Sequence, residues 1–206
     1  KKETFKTEIG PQSIPTLESI QGMMPEKDWT SITDAWAEHN FISGGGRNLM
    51  KTMTKRYGKV VNVADFVRKS QMMNYEGFRA LYEGRIGKMF SPTQGILLWM
   101  SVPAQPSFVW QMFHYDLEPN ASLFALQKAC EQIHIQFNET DNGIIQVINH
   151  EPKALSRAYA KITIYNIDGS VAAEKSHEVN TAACSVNKIS DIKWPSNLTP
   201  VHFIKL

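Results

Sequence analysis

Long hydrophobic runs are missing from this sequence. Nothing approaches the roughly eighteen consecutive apolar residues of a membrane-crossing helix, so no bilayer-spanning segment is expected. The opening residues, KKETFKTE, also lack the apolar centre of an export signal. A leader removed from a mature chain leaves no trace, so location stays open, with the periplasm and secretion among the settings that fit. A surplus of one charge is missing too: 22 Lys and Arg face 20 Asp and Glu, a net charge of +2. That field is too weak to hold a phosphate backbone, and nucleic acid is set aside as a partner along with membranes. Cysteine is scarce. Cys130 and Cys184 stand alone, without CxxC or Cys/His spacing, which points to free thiols rather than a zinc site or a disulfide framework. The six histidines are scattered without ligand spacing and are expected on the surface or on strand faces, so no metal is called for. GGGRN at 44–48 lacks the strand-glycine-helix frame of a phosphate loop and reads as a flexible hinge.

The 206 residues suffice for one large domain or two ordinary ones, and the texture changes near residue 130. Before it the pattern is mostly helical. Ile14, Leu17, Ile20 and Met24 recur at helical spacing up to Pro25, and a second helix should end near Gly58. Asn62 and Asp65 offer a cap and a first-turn acid for a long helix carrying Phe66, Met73, Phe78, Leu81 and Tyr82, expected to end near Phe90. GILLWMS reads as a short strand buried on both faces, and 107–130 as two helical pieces meeting at Pro119. After residue 130 come short β-rich runs, IHIQF, GIIQVIN, AYAKITIYN, SVAAEKSHEV and VHFIKL, with a hairpin signal at Asp168-Gly169. They predict an antiparallel β-sandwich of immunoglobulin type over 131–206, with Ile133, Ile135 and Phe137 facing its core. Five or six strands can be counted where such a domain usually has about seven, so the sandwich reads as cut short.

The fold class is therefore α/β followed by all-β. Strand, helix and strand before residue 130 describe βα units. A complete eight-unit barrel takes about 250 residues, so roughly 130 hold only the last two units, or else a small open α/β layer. In such layers catalytic groups sit where strands end and helices have not begun, because side chains from several strands converge there. Glu8 has that address, between the strand Thr4–Thr7, the Gly10-Pro11 turn and the helix start at Ser13-Ile14-Pro15. A solvated strand-end acid would occupy the same position. Strict alternation also puts Lys6 on the same face as Glu8, a conflict that a bulge near the strand end would resolve.

TEIGPQSIPTLESI, NYEGFRALYEG, GILLWMS and EPNASLFALQKACEQIHIQF, in this order and spacing, resemble the family 2 glycoside hydrolases, in the branch of exo-β-glucosaminidases and β-mannosidases. The resemblance covers nearly the whole chain. It implies that residues 1–130 are the C-terminal part of a TIM (β/α)8 barrel and 131–206 the following immunoglobulin-like sandwich, together a fragment of a longer protein. It also implies that Glu8 is the nucleophile of a retaining hydrolysis, and that Trp99 lines the sugar subsite where a core tryptophan is the plainer reading. The family's acid/base carboxyl falls upstream of Lys1, so the isolated chain is expected to be inactive. Its partners would be a β-linked oligosaccharide or glycan and the rest of the parent glycosidase, and a two-carboxylate mechanism requires no cofactor. In the loop SVPAQPS, Val102 and Gln105 stand where several relatives carry an amide and a second tryptophan, which leaves the sugar unassigned. The rival reading is a noncatalytic carbohydrate-binding or scaffold module.

Overall fold

The computed structural model describes residues 4–29, 32–139 and 143–206. They form two compact units, one of residues 1–82 and 92–129 and the other of 83–91 and 130–206. The first unit is mixed. Strand β1 (Phe5–Ile9) is followed by helices α1 (Leu17–Met23), α2 (Asp34–Glu38), α3 (Gly46–Tyr57) and α4 (Val63–Ile86), then β2 (Gly95–Leu98) and α5 (Ala121–Ala129). β1 and β2 pair in parallel and, among the described residues, no third strand joins them.

Local chemistry accounts for the helix starts. Thr16 accepts a bond from the Ser19 amide at the head of α1, and Asn62 accepts one from the Asp65 amide (2.8 Å) at the head of α4. Asp65 is itself fixed by Lys69 (2.8 Å), Arg68 (2.9 Å) and the Val61 amide (3.2 Å), and the Lys69 bond leads in holding its carboxyl below the usual range. Helix α4 stops at Ile86, one turn before the expected end near Phe90.

An aromatic cluster holds the helices together. Trp36 stacks on Phe108 at 4.7 Å between ring centres and meets Phe41 (5.2 Å) and Phe66 (5.5 Å) edge-on, with Ile14, Ile20 and Met53 buried around them. The expected hinge at Gly44–Gly46 is part of this packing instead. Gly45 is left-handed (φ +94°), and a Cβ on Gly46 would fall 2.4 Å from the Phe41 ring, so only glycine lets α3 start against that ring.

Two other expectations change. β2 is not buried on both faces: Leu97 is 54% exposed, and among the described residues β2 pairs only with β1. The stretch 107–119 is not helical, and only α5 forms. Its backbone is claimed by remote partners: Gln111 O accepts from the Ser13 hydroxyl (2.7 Å) and Asn120 (2.8 Å), Met100 N donates to Trp110 O (3.0 Å), and Met112 N and Phe113 N donate to Ser101 O. Those bonds compete directly with a helical ladder.

The second unit is built of two antiparallel three-stranded sheets. One has the order β3 (Ile133–Asn138), β4 (Ile144–Asn149), β7 (Ser185–Asp191); the other β6 (Val171–Thr181), β5 (Leu155–Asn166), β8 (His202–Lys205). Val147, Ala160 and Val179 are buried between them, with Ile135, Ala158 and Ile189 packed alongside. The β5–β6 hairpin turns at Asp168-Gly169, where Gly169 takes φ +84° and Asp168 accepts from the Ser170 amide (2.9 Å). Six strands are present among the described residues.

β3 departs from the simple alternation. Ile135 faces the core, but Ile133 is 39% exposed, and it is His134 and Gln136 on the other face that are buried. The end of α4 explains this. Glu83 accepts from His134 Nε2 (2.9 Å), Glu131 lies 3.3 Å from Nδ1, and Gln136 donates to the Glu83 carbonyl (3.0 Å). His134 is therefore on a strand face, one of the two expected settings for the histidines, and is buried there as an interior link. Cys130 and Cys184 are both free and exposed. Among the described residues no cluster of His, Cys, Asp and Glu could hold a metal ion, and no helix is long and apolar enough to cross a membrane.

Candidate active site

Both sequence-derived candidates lie at the carboxyl end of the parallel pair. The register runs Phe5–Gly95, Lys6–Ile96 and then Ile9–Leu98, three residues of β1 against two of β2. β1 thus carries one extra residue between Lys6 and Ile9, which breaks the alternation that had put Lys6 and Glu8 on one face. Lys6 is half-buried and Glu8 is exposed. Strand β1 runs two residues further than its expected end at Thr7, so Glu8 sits within its last turn of pairing rather than after it.

Trp99 follows directly. Its amide donates to Ile9 O (3.0 Å), its indole is 49% exposed, and the Trp99–Met100 peptide is cis. The neighbouring Gly10 explains how the chains come so close: a Cβ there would stand 2.3 Å from Trp99 O and 3.5 Å from the Trp110 side chain. Gly10→Ala must push the Trp99 carbonyl away or break the Trp99–Ile9 bond. An overpacked site of this kind costs about 1–3 kcal/mol, and urea unfolding of the variant measures it. A wild-type midpoint would show that this contact is soft. Val102 and Gln105, where the sequence departs from the resembling family, are both exposed on the loop after Trp99.

The loop between Glu8 and α1 is held from behind by residues that the sequence reading did not single out. Asn74 of α4 accepts from Ile14 N (3.1 Å) and donates to Ile14 O (2.9 Å), and Gln71 donates to the Ile14 and Pro15 carbonyls (3.0 and 3.2 Å) while accepting from Ala121 N (2.9 Å). Two amides three residues apart, inside an otherwise apolar helix face, were the available signal. Further along, His114 is 1% exposed and accepts at Nε2 from Asn120 (3.2 Å), so it is a neutral interior residue in a loop, neither on the surface nor on a strand face as expected. Burial pushes its pKa down to about 4.

A histidine that is harder to protonate when folded than when unfolded gives stability that is complete above about pH 6.5 and is lost as pH falls toward 4. The loss from His114 is on the order of 3 kcal/mol. His114→Gln should therefore flatten part of the acid limb of urea stability between pH 7 and 4.5, and an unchanged limb would show that another group carries it.

An exposed carboxylate next to a half-exposed indole can attack an electrophilic carbon while the ring packs on an apolar sugar face. No family model matches the chain. It is 33% identical over 165 residues to an exo-β-D-glucosaminidase of Amycolatopsis orientalis, covering 76% of this chain and 16% of that protein. It is 26% identical over 219 aligned positions to a mannosylglycoprotein endo-β-mannosidase of Lilium longiflorum, covering 98% and 23%. The solved exo-chitosanase of Amycolatopsis orientalis superposes on 93% of the chain and 24% of its own, with a TM-score of 0.82 at 26% identity. The chain's homologues are family 2 glycoside hydrolases, exo-β-glucosaminidases and β-mannosidases among them. As a glycosidase-like stretch the chain spans a quarter or less of the curated relatives it matches, 16 to 24% of their lengths.

Proposed function

We propose that this chain is the nucleophile-bearing part of a retaining β-glycoside hydrolase. β1 and β2 are the last two strands of its (β/α)8 barrel, and the second unit is its immunoglobulin-like sandwich. The observation that carries this reading is the convergence of Glu8 and Trp99 at the carboxyl end of a parallel strand pair, brought about by the bulge in β1 and the bare Gly10. Phe5 and Leu97, 46% and 54% exposed, are the apolar surface that the remaining strands of a barrel would cover. The parallel neighbours of β1 and β2 on their open edges would come from the same source.

In the mechanism, Glu8 attacks the anomeric carbon as a carboxylate, forming a glycosyl ester as the bond to the leaving oxygen breaks. A second carboxyl about 5 Å away protonates that oxygen and then removes a proton from the water that hydrolyses the ester. That second group is supplied by another part of the parent enzyme, so the isolated chain turns over no glycoside. Trp99 packs its ring on the C–H face of the sugar. The substrate class is a β-linked glycan of glucosamine or mannose. With Val102 and Gln105 in the loop, the choice between the two sugars rests on residues that this chain lacks.

A 2-deoxy-2-fluoro β-glycoside with a good leaving group tests the reading in the intact enzyme. The fluorine slows hydrolysis of the ester, so the label should accumulate on the peptide containing Glu8, as read by mass spectrometry. Label on a different carboxylate would remove Glu8 from the role. Glycan binding without any label would favour a noncatalytic module.

A further inference from the structure

Residues 102–106, in the loop that follows Trp99, are tied down by a single side chain. The loop's entry is held by backbone bonds: Met100 N donates to Trp110 O (3.0 Å), and Ser101 O accepts from Met112 N (3.1 Å) and Phe113 N (2.9 Å). Past Ser101 that support ends. Pro103 and Pro106 carry no amide hydrogen, and among the described residues the one hydrogen bond to 102–106 comes from the ring of His39, whose Nδ1 lies 2.8 Å from Pro106 O. A carbonyl only accepts, so the ring hydrogen sits on Nδ1. The His39 carbonyl in turn accepts from Phe108 N (2.8 Å), which completes a two-point grip on the loop's exit.

The base of that grip is firm. Helix α2 is only five residues long, yet its Trp36 is buried and stacks on Phe108 at 4.7 Å, inside the aromatic cluster. His39 caps this helix, with its amide on Ala35 O (3.1 Å). Ring, carbonyl and stacked indole therefore reach residues 106 and 108 from one short element whose place the core fixes. On the held stretch Val102, Ala104 and Gln105 are exposed, while Pro103 and Pro106 are half-buried. Two prolines fix φ at two of its five positions, so the stretch is stiff and one tie at Pro106 suffices to place it. Val102 and Gln105 offer the site neither a side-chain amide at the first position nor an aromatic wall at the second, so what the loop contributes beside Trp99 is position.

We propose that His39 is a positioning residue for the reaction: its Nδ1–H bond to Pro106 O sets where the loop after Trp99 stands as a wall of the sugar site. This role rests on the glycosidase reading above. Asparagine and glutamine separate it from mere bulk, because the Asn amide nitrogen falls close to the place of Nδ1 and the Gln amide nitrogen close to that of Nε2. In the intact enzyme His39→Gln should raise KM about tenfold or more while kcat stays within about threefold of wild type, since the loop meets parts of the sugar remote from the bond being broken. His39→Asn should recover most of that loss. His39→Ala, with neither nitrogen, should behave as the glutamine variant does and replaces it where glutamine does not fold, as judged by urea unfolding. The fluoroglycoside label on Glu8 tells the two readings apart. With Glu8 labelled in wild type, an unchanged KM in the glutamine variant, or an asparagine variant no better than alanine, overturns the positioning role and leaves the glycosidase reading standing. So does a loss of stability and kcat without a change in KM, the mark of a residue that only supports the fold. Without label on wild-type Glu8 the glycosidase reading falls and this role falls with it.

Discussion

Glu8→Gln in the intact enzyme lowers turnover by roughly 10³-fold or more while leaving the unfolding midpoint where it was. The amide has nearly the shape of the carboxylate but none of its charge, so it cannot form the glycosyl ester. Because Glu8 is exposed at a strand end, the fold has little to lose from the exchange. A drop in rate alone would also follow from removing a proton donor, so the stereochemistry of rescue is the sharper readout. In Glu8→Ala, azide added to the emptied space should attack the anomeric carbon from the face the carboxylate used, displacing an activated leaving group and giving the α-glycosyl azide. A β-glycosyl azide would assign Glu8 to the leaving-group side, and rates within a few-fold of wild type would take it out of the chemistry.

The sequence made the address of Glu8 legible because that address is written in local chemistry: a Gly-Pro turn after a β-rich run, then Ser-Ile-Pro at a helix start. The bulge that settles Lys6 against Glu8 could be posed but not decided, since register belongs to the pairing of two strands and neither strand's sequence states it alone. Other misreadings share that cause. The triple glycine looks like a hinge until the Phe41 ring is placed over Gly46. The segment before Pro119 has helical spacing, yet its carbonyls are taken by Ser13 and Asn120, distant in the chain or held by other bonds. In β3 the alternation correctly put Ile135 inward, but it could not foresee that Glu83 and the backbone at the end of α4 would cover the polar face and bury His134 and Gln136 as well. Period-two arguments assume that the polar face is the wet one, and here the polar face is the more deeply buried of the two.

Asn74→Ala should destabilise the first unit by about 2–4 kcal/mol, because its amide works as a substitute strand partner for a buried peptide unit. Ile14 N has Asn74 Oδ1 as its acceptor, and Ile14 O takes Asn74 Nδ2 and Gln71 Nε2. Alanine orphans the donor, weakens the acceptor and leaves a void beside a residue with no solvent exposure. Asn74→Asp separates hydrogen bonding from packing, since the two side chains have the same volume. A charged carboxylate can accept from Ile14 N but would stand against Ile14 O, whereas the protonated acid can serve both groups. The folded state therefore raises this carboxyl's pKa, and by linkage the variant keeps its stability below the ordinary carboxylate range and loses it as pH rises. Urea unfolding across pH 4 to 8 should show the Asp variant approaching wild type at the acid end and falling away above it. A pH-independent deficit would mean that shape, not the paired bonds, is what Asn74 supplies. In the intact enzyme the same variant carries the effect to the site. The loop it clamps begins directly after the strand that presents Glu8, and a displacement of about 1 Å in a reacting group can cost on the order of 10²-fold in rate. Turnover of Asn74→Asp should accordingly fall with pH more steeply than wild type, in step with its loss of stability.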